Sequence, residues 1–284
     1  MSSRTVTTSD GVAIAVHDLG GDGPPLLFAH ATGFHGMVFA PLARLLREEF
    51  HCFALDERGH GDSAVPPGDD FDWHGFGRDV LATIGGLGLT RPFAVGHSGG
   101  GAGLLLAEQA RPRTFRALYC FEPIVFPPTG PFPGSTGGNP LAESARRRRE
   151  VFDSREDAFD NYASKSPFDR LAPEVLRAYV DHGFADLDDG RVRLKCRGET
   201  EARVYENALG HDAYDRLPEV RCPVTVACGA ASDSYSVALV EALVERLPRA
   251  RAEVVPGVGH FGPLEDPALL ARCIRGTFRG EGPG

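Results

Sequence analysis

Lysine is nearly missing from this chain. Lys165 and Lys195 are the only two among 30 basic residues, and the 284 residues carry a formal net charge of −9. No basic stripe able to follow a phosphate backbone is expected, so a nucleic-acid partner is not suggested. The six cysteines (Cys52, Cys120, Cys196, Cys222, Cys228, Cys273) form no C-x-x-C pair, and no His/Cys group has zinc spacing. Reduced thiols, no bound metal and a cytoplasmic location are the simple expectation. No run of 18 apolar residues occurs, and Met1-Ser2-Ser3-Arg4-Thr5 lacks the apolar core of a secretory leader, so no membrane association is expected. Asp69-Asp70-Phe71-Asp72 and Asp186-Leu187-Asp188-Asp189-Gly190 lack the ligand spacing of a calcium loop. Gly99-Gly100-Gly101-Ala102-Gly103 is not followed by Gly-Lys-Ser/Thr and is no phosphate loop. No internal repeat is visible, and no cofactor is implied.

What remains is an ordinary globular composition, 42% hydrophobic and 24% charged, with one conspicuous pentapeptide. Gly96-His97-Ser98-Gly99-Gly100 follows the apolar run Pro92-Phe93-Ala94-Val95 and opens into a small-residue stretch that ends at Arg111-Pro112. The first run predicts a buried strand and the second a helix, which makes G-x-S-x-G a nucleophile elbow with Ser98 at its tip. Such a turn needs glycine on both sides, and it puts the serine at a helix N-terminus where free amides favour a developing oxyanion. His97 reads as a packing residue behind it.

A base and an acid are then required. Val254-Val255-Pro256-Gly257-Val258-Gly259-His260-Phe261 predicts a strand, a loop carrying His260, and a last helix from Pro263. Imidazole titrates near neutrality, so His260 suits general base and acid work. Two carboxylates compete for the third place. Asp233 lies in the polar loop after the strand Pro223–Gly229, and it is the preferred partner of His260. Glu122 ends the strand Ala117-Leu118-Tyr119-Cys120-Phe121 and is the rival, because a carboxylate in so apolar a setting is costly to ionise unless paired. The turn His30-Ala31-Thr32-Gly33-Phe34, after the strand Pro24–Ala29, brings a second backbone amide beside Ser98.

Asp56-Glu57-Arg58-Gly59-His60-Gly61-Asp62-Ser63 completes the set, and here the chain resembles the α/β-hydrolase superfamily. The octapeptide is similar to the superfamily's D-x-R-G-x-G-x-S signature, residues 96–100 to its elbow, 229–233 to its acid loop and 259–261 to its histidine loop. His30-Ala31-Thr32-Gly33-Phe34 stands where H-G-x-x-G is usual, with alanine in place of a glycine. The resemblance implies oxyanion donors at the amides of Thr32 and Gly99. It also keeps both acids open, since some members carry the acid after the strand that follows the elbow helix, where Glu122 lies. The implied fold is α/β: a mostly parallel sheet of about eight strands flanked by helices, with a helical lid after the sixth strand.

The pattern along the chain agrees. A hairpin is expected over 4–18, βαβ alternation over 25–122, and helices near 38–48, 73–86 and 99–110. Alternation stops at the proline-rich stretch 127–134, residues 135–215 read as polar helical segments with no clear strand pair, and sheet logic resumes at Pro218. The expected division is a core over 1–124, a cap over 125–215 and the rest of the core over 216–284. Arg146-Arg147-Arg148-Arg149, flanked by Glu143, Glu150, Glu156 and Asp157, reads as a solvated cap helix. Contact with an anionic substrate or an acyl carrier is the sharper alternative. Ile124-Val125-Phe126 and Phe132 either line an acyl pocket or pack the cap onto the core. The expected activity is cofactor-free hydrolysis of a carboxylic ester, lactone or thioester through an acyl-enzyme on Ser98. Alternatives are a carbon–carbon hydrolase of the same fold or a non-catalytic module binding a small ligand. The expected partner is a small acyl substrate.

Overall fold

The computed structural model describes residues 2–128 and 139–279; Phe132 lies outside them. The chain opens with β1 (Ser2–Thr7) and β2 (Ala13–Gly20), the anticipated hairpin. It continues through β3 (Pro25–Ala29), α1 (Ala40–Leu46), β4 (His51–Leu55), α2 (His74–Gly86), β5 (Phe93–His97), α3 (Gly99–Ala110) and β6 (Ala117–Phe121). An insertion follows, with α4 (Pro140–Arg146), β7 (Val151–Phe152), α5 (Arg155–Ala163), α6 (Pro173–Gly183), β8 (Phe184–Asp186), β9 (Val192–Leu194) and α7 (Gly198–Glu206). The main sheet then resumes with β10 (Val224–Gly229), α8 (Val237–Arg246), β11 (Ala250–Val255), α9 (Gly262–Glu265) and α10 (Pro267–Arg279).

Eight strands form one sheet in the order β1-β2-β4-β3-β5-β6-β10-β11. Only the pairings of β2 are antiparallel. The central strands read as unbroken apolar runs because both their faces are covered. Leu26, Phe28, Val95 and Tyr119 point to one side, with Leu42 and Leu46 of α1 and Leu270 and Ile274 of α10. Leu27, Ala94, Leu118 and Cys120 point to the other, with Val80 of α2, Leu105 of α3 and Leu243 of α8. The parallel register aligns the carboxyl ends. Ala29 pairs with Gly96, His97 with Phe121, Ala227 with Phe121 and Gly229 with Val255. The loops after β3, β5, β6, β10 and β11 therefore share one edge, where open α/β sheets bind ligands.

Two expectations for the insertion are corrected. It holds a three-stranded antiparallel sheet in the order β7-β9-β8, where no strand pair was anticipated. These strands are two or three residues long, too short to show a period, yet Phe152, Phe184, Val192 and Leu194 are buried. The arginine run is not on one helix either: α4 ends at Arg146, and Arg147 to Glu150 turn away toward β7. Among the described residues no helix is long and apolar enough to cross a membrane.

The Asp56–Ser63 segment braces the fold. Asp56 accepts from the Gly36 amide (2.7 Å), the Asp62 amide (2.8 Å) and His17 Nε2 (3.0 Å), and against the effect of burial the bond and charge of His17 hold its carboxyl well below the usual range. The buried Arg58 guanidinium pairs with Asp79 and Asp10. Glu57 between them is fully enclosed with Oε1 unpartnered, and burial followed by the nearby Asp79 charge pushes its carboxyl well above the usual value. A raised carboxyl holds its proton more tightly in the folded chain than in the unfolded one, so its contribution is present at low pH and lost as pH rises. In that window stability falls by up to ~1.4 kcal/mol per pH unit. Glu57→Gln removes the titration. Melting curves from pH 5 to 8 are expected to diverge, the glutamine variant gaining on the wild type as pH rises; parallel curves would contradict a protonated Glu57.

Candidate active site

The elbow is built by close approach of backbone to backbone. Ser98 sits between β5 and α3 at φ 54°, ψ −115°, a conformation that is strained for any residue with a Cβ. A Cβ on Gly96 would lie 2.6 Å from the Gly101 Cα, and one on Gly100 would lie 2.3 Å from the Ala29 carbonyl oxygen. Larger residues at these two places would push α3 off the sheet. The Ser98 amide donates to the Phe121 carbonyl (2.9 Å) and the Gly100 amide to the His30 carbonyl (2.9 Å), tying the turn to both neighbouring strands. Ser98 is 6% exposed.

The turn after β3 stands against the start of α3. A Cβ on Gly99 would be 3.0 Å from Thr32 Oγ1 and 3.6 Å from the Thr32 amide nitrogen. Among the described residues no hydrogen bond uses the amide of Thr32 or of Gly99. His30 locks this turn. Its Nε2 accepts from the Glu57 amide (2.9 Å), so the proton is on Nδ1, which donates to the Ala31 carbonyl (2.8 Å). Burial lowers its pKa to about 3, so the ring is neutral.

His260 arrives on the loop after β11. His97 Nε2 donates to the His260 carbonyl (2.8 Å), the two rings are 5.1 Å apart, and burial followed by the neighbouring His260 keeps His97 neutral. The residue before Ser98 thus fixes the backbone of His260, a more specific task than packing. Phe261 stands edge-on to His260 at 5.0 Å.

The carboxylate beside His260 is Glu122, and the preference for Asp233 is corrected. Glu122 Oε2 accepts from His260 Nδ1 at 2.6 Å and from Ser232 Oγ at 2.9 Å, while Oε1 accepts from the Gly229 amide at 2.9 Å. Its side chain is fully buried and its backbone takes φ 45°, swinging the carboxylate across the end of β10 toward His260. The loop after β10 turns sharply, with the Ser232 amide bonded to the Gly229 carbonyl (3.1 Å). That turn aims Ser232 at Glu122 and leaves Asp233 exposed, where among the described residues it accepts only from the neighbouring Ser234 hydroxyl (3.2 Å). Ser232 also accepts from the Tyr235 amide (3.2 Å). The loop expected to carry the acid instead supplies two donors to it.

Sequence reasoning missed the walls. Trp73 lies beside Gly99, 3.6 Å from where its Cβ would be. It donates Nε1 to the Val204 carbonyl of α7 (3.0 Å) and stacks on His211 (5.3 Å). On the other side Phe34 touches Phe261 (5.5 Å), Phe168 (5.6 Å) and Tyr179 (5.3 Å), the latter two from the insertion. Phe126 packs with Tyr235 in the core on the α3 side. Among the described residues no three His, Cys, Asp or Glu side chains are grouped as metal ligands would be.

Comparison with known proteins points the same way as this geometry. A family model described as the alpha/beta hydrolase family matches residues 26–272. The chain is 23% identical over 256 residues to 2-(acetamidomethylene)succinate hydrolase of Mesorhizobium japonicum, covering 89% of this chain and 87% of the relative. It is 28% identical over 252 residues to pimeloyl-(acyl-carrier protein) methyl ester esterase of Xanthomonas campestris pv. campestris, covering 86% and 90%. The crystal structure of E-2-(acetamidomethylene)succinate hydrolase superposes with a TM-score of 0.82 at 22% identity, over 98% of this chain and 99% of that one. The elbow, the aligned loops and the family match over most of its length establish that the chain belongs to the alpha/beta hydrolase family.

Proposed function

We propose that the protein is a serine hydrolase that cleaves a carboxylic ester, lactone or thioester, with Ser98, His260 and Glu122 as its triad. The observation that carries this is the 2.6 Å bond from His260 Nδ1 to a fully buried Glu122. That bond holds the proton on Nδ1 and leaves Nε2 as the basic nitrogen. His260 Nε2 takes the proton of Ser98 as Oγ bonds to the carbonyl carbon, and the carbonyl π pair moves onto oxygen. The amides of Thr32 and Gly99 receive that oxyanion. Collapse of the tetrahedral species breaks the bond to the leaving group, which takes the proton from His260. Water then enters, His260 removes one of its protons, and hydroxide adds to the acyl-enzyme carbonyl. Loss of Ser98 Oγ, reprotonated by His260, releases the acid.

Glu122 stabilises the imidazolium that forms twice in this cycle. Two donors from the β10 loop, Gly229 and Ser232, satisfy its remaining lone pairs. A carboxylate so held stays oriented without water. The insertion from α4 to α7 serves as the cap, whose Phe168 and Tyr179 meet Phe34 over the turn that bears Thr32 and narrow the site to a small acyl group. The hydrolase names of the relatives, an esterase among them, support the same reaction class.

The test is turnover of short-chain aryl esters by purified variants. Ser98→Ala is expected to lose at least ~10³-fold in kcat with an unchanged melting temperature. Glu122→Gln is expected to lose about 10⁴-fold, as wrong-tautomer variants of such triads do, while Asp233→Asn stays within about 3-fold of wild type. Ser232→Ala, which leaves His260 its partner but loosens it, is expected to fall by roughly 10-fold. Wild-type rates in Ser98→Ala would end the mechanism. A collapse in Asp233→Asn with Glu122→Gln active would return the acid to the β10 loop.

A further inference from the structure

Of the four consecutive arginines, three face solvent and pair with carboxylates: Arg146 with Glu199 and Glu206, Arg147 with Glu143, and Arg149 with Asp157. Arg148 turns inward because the helix has ended before it. Its side chain is 16% exposed and its guanidinium faces the adjoining rings of Tyr162 and Phe168, each 5.6 Å away. Nη1 is bonded to Glu201, and Nη2 donates to the hydroxyls of Tyr179 (2.6 Å) and Tyr162 (3.2 Å).

This cluster rests on the turn that bears Thr32. A Cβ on Gly33 would lie 2.5 Å from Glu201 Oε1 and 3.4 Å from Arg148 Nη1, and Gly33 has φ 84°. Glycine at 33 is therefore required twice, by its backbone and by the cap residues seated on it. Gly33 follows Thr32 directly, a Cα step of ~3.8 Å. The guanidinium thus lies against the residue that follows the amide proposed to hold the oxyanion. Phe168, Phe34 and Phe261 continue from Arg148 to His260 as a row of touching rings.

The cluster has donors to spare. Each tyrosine hydroxyl already accepts from Arg148, and among the described residues neither O–H proton has an acceptor. Arg148 Nε is likewise unengaged among them. Both oxygens of Glu201 are occupied, by Arg148 and by the Tyr205 hydroxyl (3.4 Å). A ligand meeting this group finds three unengaged donors, one of them on a permanent cation whose other edge is paired with Glu201. Such a set suits a planar anion, which a guanidinium edge and flanking hydroxyls bind together.

We propose that Arg148, Tyr162 and Tyr179 form a carboxylate-binding subsite, so that the substrate is an ester or thioester whose acyl part carries a second, unreacting carboxylate a few bonds from the scissile carbonyl. This deepens the hydrolase reading and rests on it. Binding at the remote carboxylate fixes the carbonyl against Ser98 and the two amides. An analogue lacking the carboxylate leaves buried donors unanswered and is discriminated against.

The experiment compares monoethyl succinate, diethyl succinate and ethyl butyrate, following acid release at constant pH. Wild type is expected to favour monoethyl succinate over both uncharged esters by on the order of 10²-fold in kcat/KM, mostly through KM. In Arg148→Met the preference is expected to shrink to within about 3-fold. Tyr179→Phe, which keeps the ring and the arginine, is expected to reduce it about 10-fold. Arg147→Met, at an exposed site, keeps the wild-type ratio. Equal loss on all three esters together with a lowered melting temperature in Arg148→Met would make the cluster a brace between cap and core and overturn the proposal. Equal wild-type rates on charged and uncharged esters would also overturn it, yet leave the hydrolase reading intact, because Ser98→Ala still abolishes those rates. Direct binding of succinate to Ser98→Ala decides the subsite independently of turnover: saturable binding lost on adding Arg148→Met upholds it, and no binding refutes it.

Discussion

A buried carboxylate must be answered by donors, and the arrangement of this site follows from how Glu122 is answered. Its side chain is wholly withdrawn from water, where an unpaired charge would be prohibitively costly. Three donors meet it, from His260, Ser232 and the Gly229 amide. Two come from the turn that closes β10 and one from the loop after β11, and each begins where a strand of the parallel sheet ends. The bond to His260 is therefore a consequence of register: β6, β10 and β11 stop level with one another, and their loops can share one carboxylate. His97 adds the fourth strand end by holding the His260 carbonyl. A single slip in this register would part His260 from Glu122 and leave the buried carboxylate short of donors.

Much of this was legible in the chain because the relevant signals are local. The run before Ser98 and the small residues after it specify a strand and a helix, and α3 spans Gly99–Ala110 as expected. Gly96 and Gly100 mark the tight turn by the same logic. His260 was legible from its loop. Which carboxylate meets His260 was not, because both candidates follow apolar strands and spacing does not say which side chain a loop turns inward. The backbone of Glu122 at φ 45° and the reversal at Ser232 decide it, and neither leaves a mark in a pattern of apolar residues. The clue that existed was energetic: an acid ending an apolar strand needs partners.

The insertion was harder to read for a related reason. Its strands are too brief for alternation to register, and its hydrophobic residues serve two surfaces at once. Tyr179, for example, packs on Phe34 after β3 while its hydroxyl meets Arg148 of the insertion itself. The four arginines look equivalent in sequence, but the end of α4 splits them between solvent and interior. Where a helix stops decides which charge turns inward, and helix ends are the least readable feature of a charged segment.

The account stands on Ser98 as a nucleophile activated through His260 and Glu122. Its most direct test is the rate at which a fluorophosphonate labels the intact protein, with the modified residue located by peptide mass spectrometry. The account predicts one adduct per chain, on Ser98, formed at a rate that falls by orders of magnitude in Glu122→Gln. A chain that takes no adduct, takes it elsewhere, or labels equally fast without the Glu122 carboxylate would contradict it.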